Sequence, residues 1–410
     1  MVIDYDSYLT ETALSRKPSP IRALVPLTRL PGMISLGAGS PNPETFPLAG
    51  LSFRLQSGET LELSPQQTRD ALQYTNTTGL PALNAQLVEL QRTEHRPPRE
   101  CSLCVTTGSQ DALSFAFNSL LKPGDDLLLE SPTYSGSLAF LQPLGLRLHG
   151  VPLDGDGLIP AELRRILAEW PVSERPRPKI LYTIPTGGNP SGASLTQERK
   201  REIYAIAQEY GLLLLEDDPY YYLQFSPERV PSFLSMDVDG RVLRFDSTSK
   251  LVAAGIRLGW VTGPAPLVQR IELNLQAQSL HASALSQAIL LRLFEHWGGV
   301  EGFLAHTLTV ADFYKKRRDT FCRLADKHLK GLVEWSVPNA GMFIWMRVPG
   351  TEDTESLIKE KAVEAKVLML PGAAFMPNGE KSNFVRASFS MPSEEDMDEA
   401  LRRFAELLKQ

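Results

Sequence analysis

Asp246-Ser247-Thr248-Ser249-Lys250, followed by Gly255-Ile256-Arg257, is the stretch on which the reading of this chain turns. It sets one lysine in a hydroxyl-rich loop with an arginine shortly after it. A lysine cation is costly to bury, so a buried lysine tends to lose its proton and become a nucleophilic amine. Such an amine condenses with aldehydes to a Schiff base. Ser247, Ser249 and Arg257 supply two hydroxyl donors and a forked cation, the parts of a phosphate grip. A lysine beside a phosphate site suggests pyridoxal phosphate, an aldehyde with a phosphate tail. Taken alone, an S-x-S-K string also fits a solvated lysine in a turn, because most lysines are exposed.

Around this stretch, residues 101–265 alternate between apolar runs and helical patterns. Strands are expected at Ser102–Thr106, Asp126–Glu130, Leu146–Val151, Lys179–Ile184, Leu212–Glu216, Arg241–Asp246 and Leu258–Thr262, with helices near 109–121, 134–142, 160–170 and 196–210. Short apolar strands alternating with helices indicate an α/β domain with a largely parallel sheet. In such sheets ligands bind beyond the carboxyl ends of the strands. Residues 266–330 read as mostly helical, with one long helix over 300–330. The remainder changes character: a hairpin around Pro338-Asn339-Ala340, a helix near 354–365, strands at 366–370 and 384–389 and a closing helix from 394 make a smaller α+β unit. The domain division expected is an N-terminal arm with part of the small domain over 1–60, a large domain over 61–299 and a small domain over 300–410.

Four further motifs sit at strand ends, and a fifth, around Arg386, lies inside an apolar strand. Gly108-Ser109-Gln110 opens a helix whose free N–H groups suit a phosphate, although Ser109 also fits a plain cap. Asn189, in Pro185-Thr186-Gly187-Gly188-Asn189-Pro190-Ser191-Gly192, has its amide aimed by a rigid backbone and could donate to a ring oxygen. Glu216-Asp217-Asp218-Pro219-Tyr220 gathers carboxylates after an apolar strand, which is costly unless something positive lies there. A protonated pyridine nitrogen is such a partner. Tyr134, in Ser131-Pro132-Thr133-Tyr134, fits a ring face or an ordinary core. Arg386, in Phe384-Val385-Arg386-Ala387-Ser388-Phe389, fits a substrate α-carboxylate bidentately or a structural ion pair.

Composition is ordinary for a soluble globular protein. The 410 residues are 42% hydrophobic and 22% charged, with net charge −6. No broad basic surface for nucleic acid is implied, and no run approaches a membrane span. The early residues Asp4, Asp6 and Glu11 argue against a secretory signal and, less strongly, against a transit peptide, so a cytoplasmic location is expected with a mitochondrial one left open. Three cysteines give no disulfide framework. Cys101 and Cys104 match C-x-x-C without the second pair a zinc site needs, so no metal is expected.

In this order and spacing, the G-S-Q helix start, N-P-S-G, D-D-P-Y, S-x-S-K, G-I-R-L-G and the late R-A-S-F resemble the fold-type I pyridoxal-phosphate aminotransferases of class I/II, over nearly the whole chain. Pro18-Ser-Pro-Ile-Arg22, Ala71-Leu-Gln-Tyr74, the 233–240 stretch and Ala340-Gly-Met-Phe343 are most similar to the kynurenine/α-aminoadipate aminotransferases. The resemblance implies the fold-type I architecture, with a mostly parallel central sheet and a smaller α+β domain. It implies pyridoxal 5'-phosphate bound through Lys250, with Asp217 on the pyridinium nitrogen, Asn189 and Tyr220 on the ring oxygen, and Tyr134 over the ring. Ser109, Gln110, Ser247, Ser249 and Arg257 hold the phosphate, joined by Tyr74 from the other subunit of a homodimer. Arg386 binds the α-carboxylate, and Arg22 and Gly39 lie in a mobile segment near the substrate side chain. The implied reaction moves an amino group from 2-aminoadipate, kynurenine or an aromatic or aliphatic donor to a 2-oxo acid such as 2-oxoglutarate, by a ping-pong route. A lyase or decarboxylase on the same fold is the first alternative, and a non-catalytic regulator the second. Departures from the relatives' pattern, Thr186-Gly187-Gly188 and Trp260 among them, bear on substrate shape more than on the cofactor.

Overall fold

The short apolar runs of this chain become buried strands, because each side chain of a strand covered on both faces meets other apolar groups. The computed structural model describes residues 3–24, 27, 30–34, 36–37 and 39–409, the side chains of Arg22 and Ala23 excepted. The chain divides into two compact units, Met1–Leu121 with Asp237–Ala305 and Lys122–Met236 with His306–Gln410.

In the first unit, strand Gly259–Gly263 lies between Ser102–Thr106 and Val242–Ser247 and runs antiparallel to both. The sequence pattern anticipated all three strands but not this direction, since an apolar run reads alike either way. Helix Ser109–Leu120 follows the Ser102–Thr106 strand and buries Ala112, Leu113, Ala116 and Phe117. Helices Ala265–Gln278 and Ala284–Trp297 fill the region after 265 read as helical, and helix Pro81–Glu94 precedes the Ser102–Thr106 strand. A hairpin of Ser52–Arg54 and Thr60–Glu62 was not anticipated; three-residue strands leave too little alternation to read. Beneath the lysine loop, fully buried Arg244 donates to Asp246 at 2.8 and 3.1 Å, and the Gln91 amide donates to the same carboxylate at 3.0 Å. The residue just before Ser247 is thereby fixed.

In the second unit, Leu213–Asp217, Ile180–Thr183, Asp126–Ser131 and Arg147–Asp154 run side by side and parallel, and Gly157–Leu158 turns back antiparallel. A four-stranded antiparallel sheet has the order Glu334–Trp335, Phe343–Arg347, Phe384–Ser388, Leu370–Pro371. The strand expected at 366–370 pairs only from Leu370, with Leu368 turned out to 78% exposure. The long helix is Val300–Leu329. The closing helix Glu394–Leu408 is capped by Ser393, which accepts the Asp396 N–H, and buries Met397, Leu401 and Phe404 on one face. Among the described residues no helix is long and apolar enough to cross a membrane.

Candidate active site

In the first unit the lysine loop, Arg257 and the start of helix Ser109–Leu120 form a cradle for an anion. Gly108 caps that helix with φ +82° and supplies no side-chain cap to its first N–H groups. A Cβ on Gly108 would lie 2.7 Å from an Arg257 guanidinium nitrogen, and one on Gly259 would lie 2.5 Å from the Ser109 nitrogen. Two glycines therefore let a cation and a strand close on the helix end. Arg257 takes the left-handed conformation and donates to Ser249 Oγ at 3.2 Å, while Ser249 N–H donates to Ser247 Oγ at 3.2 Å. The guanidinium and the positive helix end converge, which is unfavourable without an anion and suits a phosphate. Burial, and then the Arg257 charge, lower the pKa of Lys250 below the ordinary lysine value, as a nucleophilic amine needs. Ser109, Gln110, Ser247, Ser249, Arg257 and Lys250 thus belong to one unit. Tyr74 is in the same unit, 57% exposed, with its ring edge-on to His281 at 6.0 Å. Gly39 is exposed; the side chain of Arg22 lies outside the described residues.

In the second unit each carboxylate of Glu216-Asp217-Asp218 has its own surroundings. Glu216 accepts the backbone N–H groups of Phe233 and Leu234 at 2.7 and 3.2 Å, a structural role. Asp218 accepts the Thr186 hydroxyl at 3.1 Å. Asp217, 3% exposed, accepts the Tyr182 hydroxyl at 2.8 Å, and the Ser137 hydroxyl donates to Tyr182 at 2.9 Å. A buried carboxylate held by a neutral phenol fits a positively charged ring nitrogen. Tyr220 is buried, and its burial raises its pKa, so it remains a neutral donor.

Asn189 Oδ1 accepts from Arg386 at 2.8 Å, which leaves the amide N–H₂ as a donor. The Arg386 guanidinium stands over Phe343 at 4.4 Å and Phe375 at 5.1 Å, and its buried Nε has no hydrogen-bond partner among the described residues. A donor kept unpaired between two rings suits an incoming carboxylate. Phe343 also meets Tyr220 edge-on at 5.8 Å. The Asn189 loop packs backbone to backbone on the strand start: a Cβ on Gly187 would lie 2.7 Å from the Gly341 nitrogen, and one on Gly192 would lie 2.6 Å from the Phe343 carbonyl oxygen. Sequence reasoning missed Ser137, Tyr182, Phe343 and Phe375. Each reads as core in its own segment, and only the hydroxyl of Tyr182 in an otherwise apolar run gave a signal.

These features define a class first: an enzyme that treats amino acids through a phosphorylated aldehyde. Comparison with known proteins specifies it. Residues 33–404 match the family "Aminotransferase class I and II". The mouse protein named kynurenine/alpha-aminoadipate aminotransferase, mitochondrial, is 46% identical, covering 100% of both chains. The crystal structure of aminotransferase Aro8 from Candida albicans superposes with TM-score 0.89 at 27% identity, covering 100% of this chain and 98% of that one. A kynurenine aminotransferase from Pyrococcus horikoshii, solved with PMP and kynurenine, gives 0.78 at 29% identity, covering 99% and 98%. The chain belongs to the class I and II aminotransferases. It has the fold-type I architecture, and it is an enzyme dependent on pyridoxal 5'-phosphate that transfers amino groups between amino acids and 2-oxo acids.

Proposed function

We propose that this aminotransferase takes its amino group from 2-aminoadipate, kynurenine or an aromatic or aliphatic amino acid and delivers it to 2-oxoglutarate. The printed names of the mouse and Pyrococcus horikoshii relatives support the donor class. When bound, pyridoxal phosphate supplies the aldehyde that takes up the amino group and a ring that accepts electrons from the Cα–H bond. Lys250 would hold the cofactor covalently in the resting enzyme, and its free amine would accept the proton from Cα and return it to the product. Arg257, Ser249, Ser247, Ser109 and Gln110 hold the phosphate. Asp217 keeps the ring nitrogen protonated, Asn189 and Tyr220 donate to the ring oxygen, and Tyr134 covers the ring face. Arg386 orients the α-carboxylate, and Arg22 meets a distal carboxylate when the donor has one.

The observation that carries these assignments is the cradle in which Arg257 and Ser249 close on the Gly108–Ser109 helix end beside the Lys250 loop. Borohydride reduction of the loaded enzyme is the test. It should fix one cofactor on Lys250, and Lys250→Ala should retain the fold and lose turnover. Attachment elsewhere, or normal turnover in the variant, would sink the assignment. Release of one 2-oxo acid per site from donor alone, without acceptor, tests the ping-pong order.

The same reading includes a homodimer in which Tyr74 reaches the partner's phosphate. The exposure of Tyr74 at 57%, with Ile34 at 89% and Leu36 at 99%, supports a covering subunit. Sedimentation of wild type and Tyr74→Phe, with cofactor retention on dilution, tests it. The domain division at 60 and 299 stands with this proposal, supported by the long helix that begins at Val300. For the compartment, the reading is the cytoplasm, and the mitochondrial location in the mouse relative's name is the alternative. Cell fractionation distinguishes the two.

A further inference from the structure

We propose that Ser137 and Tyr182 form a neutral hydrogen-bond relay that orients Asp217 toward the ring nitrogen of pyridoxal phosphate. The proposal rests on the assignment of Asp217 above and extends it to two buried residues hydrogen-bonded in series to that carboxylate.

Tyr182 stands in strand Ile180–Thr183, beside the strand that ends in Asp217, in register with Leu215. Its neighbours Ile180 and Leu181 are fully apolar, and a phenylalanine would fill the same space. A buried tyrosine hydroxyl normally requires a partner. Here it has one on each side: it donates to Asp217 Oδ2 at 2.8 Å and accepts from Ser137 Oγ at 2.9 Å. Ser137 and Tyr182 are 0% exposed, so water does not compete for either bond. The two bonds run in one direction, toward the carboxylate, and donors chained this way strengthen one another.

The relay is neutral throughout. Burial, reinforced by the Asp217 charge, holds the pKa of Tyr182 far above the ordinary phenol value, so its proton stays in place at working pH. An arginine or protonated histidine in its place would hold Asp217 as well, yet would satisfy the charge that the ring nitrogen needs. A phenol fixes the carboxylate's orientation without bringing a positive charge to it. Ser137 lies in the first turn of helix Ser135–Leu141, directly after Tyr134, so one turn sets both the ring-covering aromatic and the far end of the relay.

Tyr182 and Ser137 are therefore positioning residues, and the test reads the ring nitrogen itself. Wild type, Tyr182→Phe, Ser137→Ala and Asp217→Asn are loaded with ¹⁵N-labelled pyridoxal phosphate, and the nitrogen resonance is followed against pH. Cofactor affinity is measured by equilibrium dialysis, and the melting temperature of the cofactor-free proteins monitors the fold. Losing the phenol bond should weaken cofactor binding roughly tenfold, the effect of one hydrogen bond to a charged group. The nitrogen should then lose its proton at lower pH than in wild type. Ser137→Ala should move it the same way by less. A nitrogen midpoint that is unmoved or raised in Tyr182→Phe, with Asp217→Asn lowering it, overturns the relay while keeping Asp217 in its role. An unmoved midpoint in Asp217→Asn overturns both. A lowered melting temperature with unchanged nitrogen and affinity assigns Tyr182 to structure alone and likewise overturns the relay. Should Tyr182→Phe fail to fold, Ser137→Ala decides by the same criterion.

Discussion

Arg386→Lys keeps the positive charge at the proposed carboxylate site and removes the fork. The structure allows the cost to be worked out. Arg386 donates to Asn189 at 2.8 Å and stacks over Phe343 and Phe375 at 4.4 and 5.1 Å. A planar guanidinium fits between two rings and still presents two parallel donors to a carboxylate; an ammonium does not. Loss of one of two charge-assisted hydrogen bonds costs about 1.5–3 kcal/mol. Poorer contact with two aromatic faces adds about 0.5–1 kcal/mol. Together these give about 3 kcal/mol, or roughly a 150-fold fall in kcat/KM for the amino acid at 1.36 kcal/mol per decade. The assay compares 2-aminoadipate with a primary amine that has the same side chain and no α-carboxylate. Turnover of the amine should change less than threefold, and cofactor affinity should stay within a factor of two, as order-of-magnitude expectations for a site reading only the carboxylate. A loss under tenfold on the amino acid, or an equal loss on the amine, would remove Arg386 from carboxylate recognition.

Three further outcomes follow from the same geometry. Glu130 is fully buried, accepts from the Thr183 hydroxyl and the Ile184 N–H, and has its pKa pushed up to about 8 by burial, with Asp217 and Asp218 adding to it. It binds a proton in the folded chain where the unfolded chain does not. Its share of stability is therefore complete below about 4.5, declines as pH rises, and levels off above about 8. Glu130→Gln keeps both acceptor bonds and should flatten that decline in denaturant titrations across this range; an unchanged slope refutes the protonated carboxyl. Gly187→Ala forces a Cβ against the Ala340–Gly341 backbone at 2.7 Å with φ +51°, and should destabilise by about 1–3 kcal/mol, read as a lower melting temperature. Gly108→Ala would press a Cβ on Arg257 and should weaken pyridoxal phosphate far more than pyridoxal, measured by dialysis; equal losses would remove Arg257 from the phosphate.

What the sequence discloses and what it hides follow from how each feature is written. Lys250, Asp217 and Arg386 stand out in the sequence as candidates because a charged residue at the end of, or inside, an apolar strand is costly without a partner. The Ser109–Leu120 helix is legible because a glycine and small polar residues interrupt two apolar segments of different period. Strand direction is not legible: Gly259–Gly263 carries the same pattern antiparallel as it would parallel. The two compact units are hidden because the chain passes between them three times, at 121, 236 and 305, each within an ordinary connection or helix. The least legible residues are those that act on another residue. Tyr182 satisfies the apolar pattern with its ring and reveals its hydroxyl only when Asp217, from a different strand, is placed beside it. Phe343 likewise reads as alternation in Met342, Ile344 and Met346, and its part is visible only under the guanidinium of Arg386. A charge announces itself by its cost in its own segment. The groups that aim the charge cost nothing there, so they emerge only once the strands are set side by side.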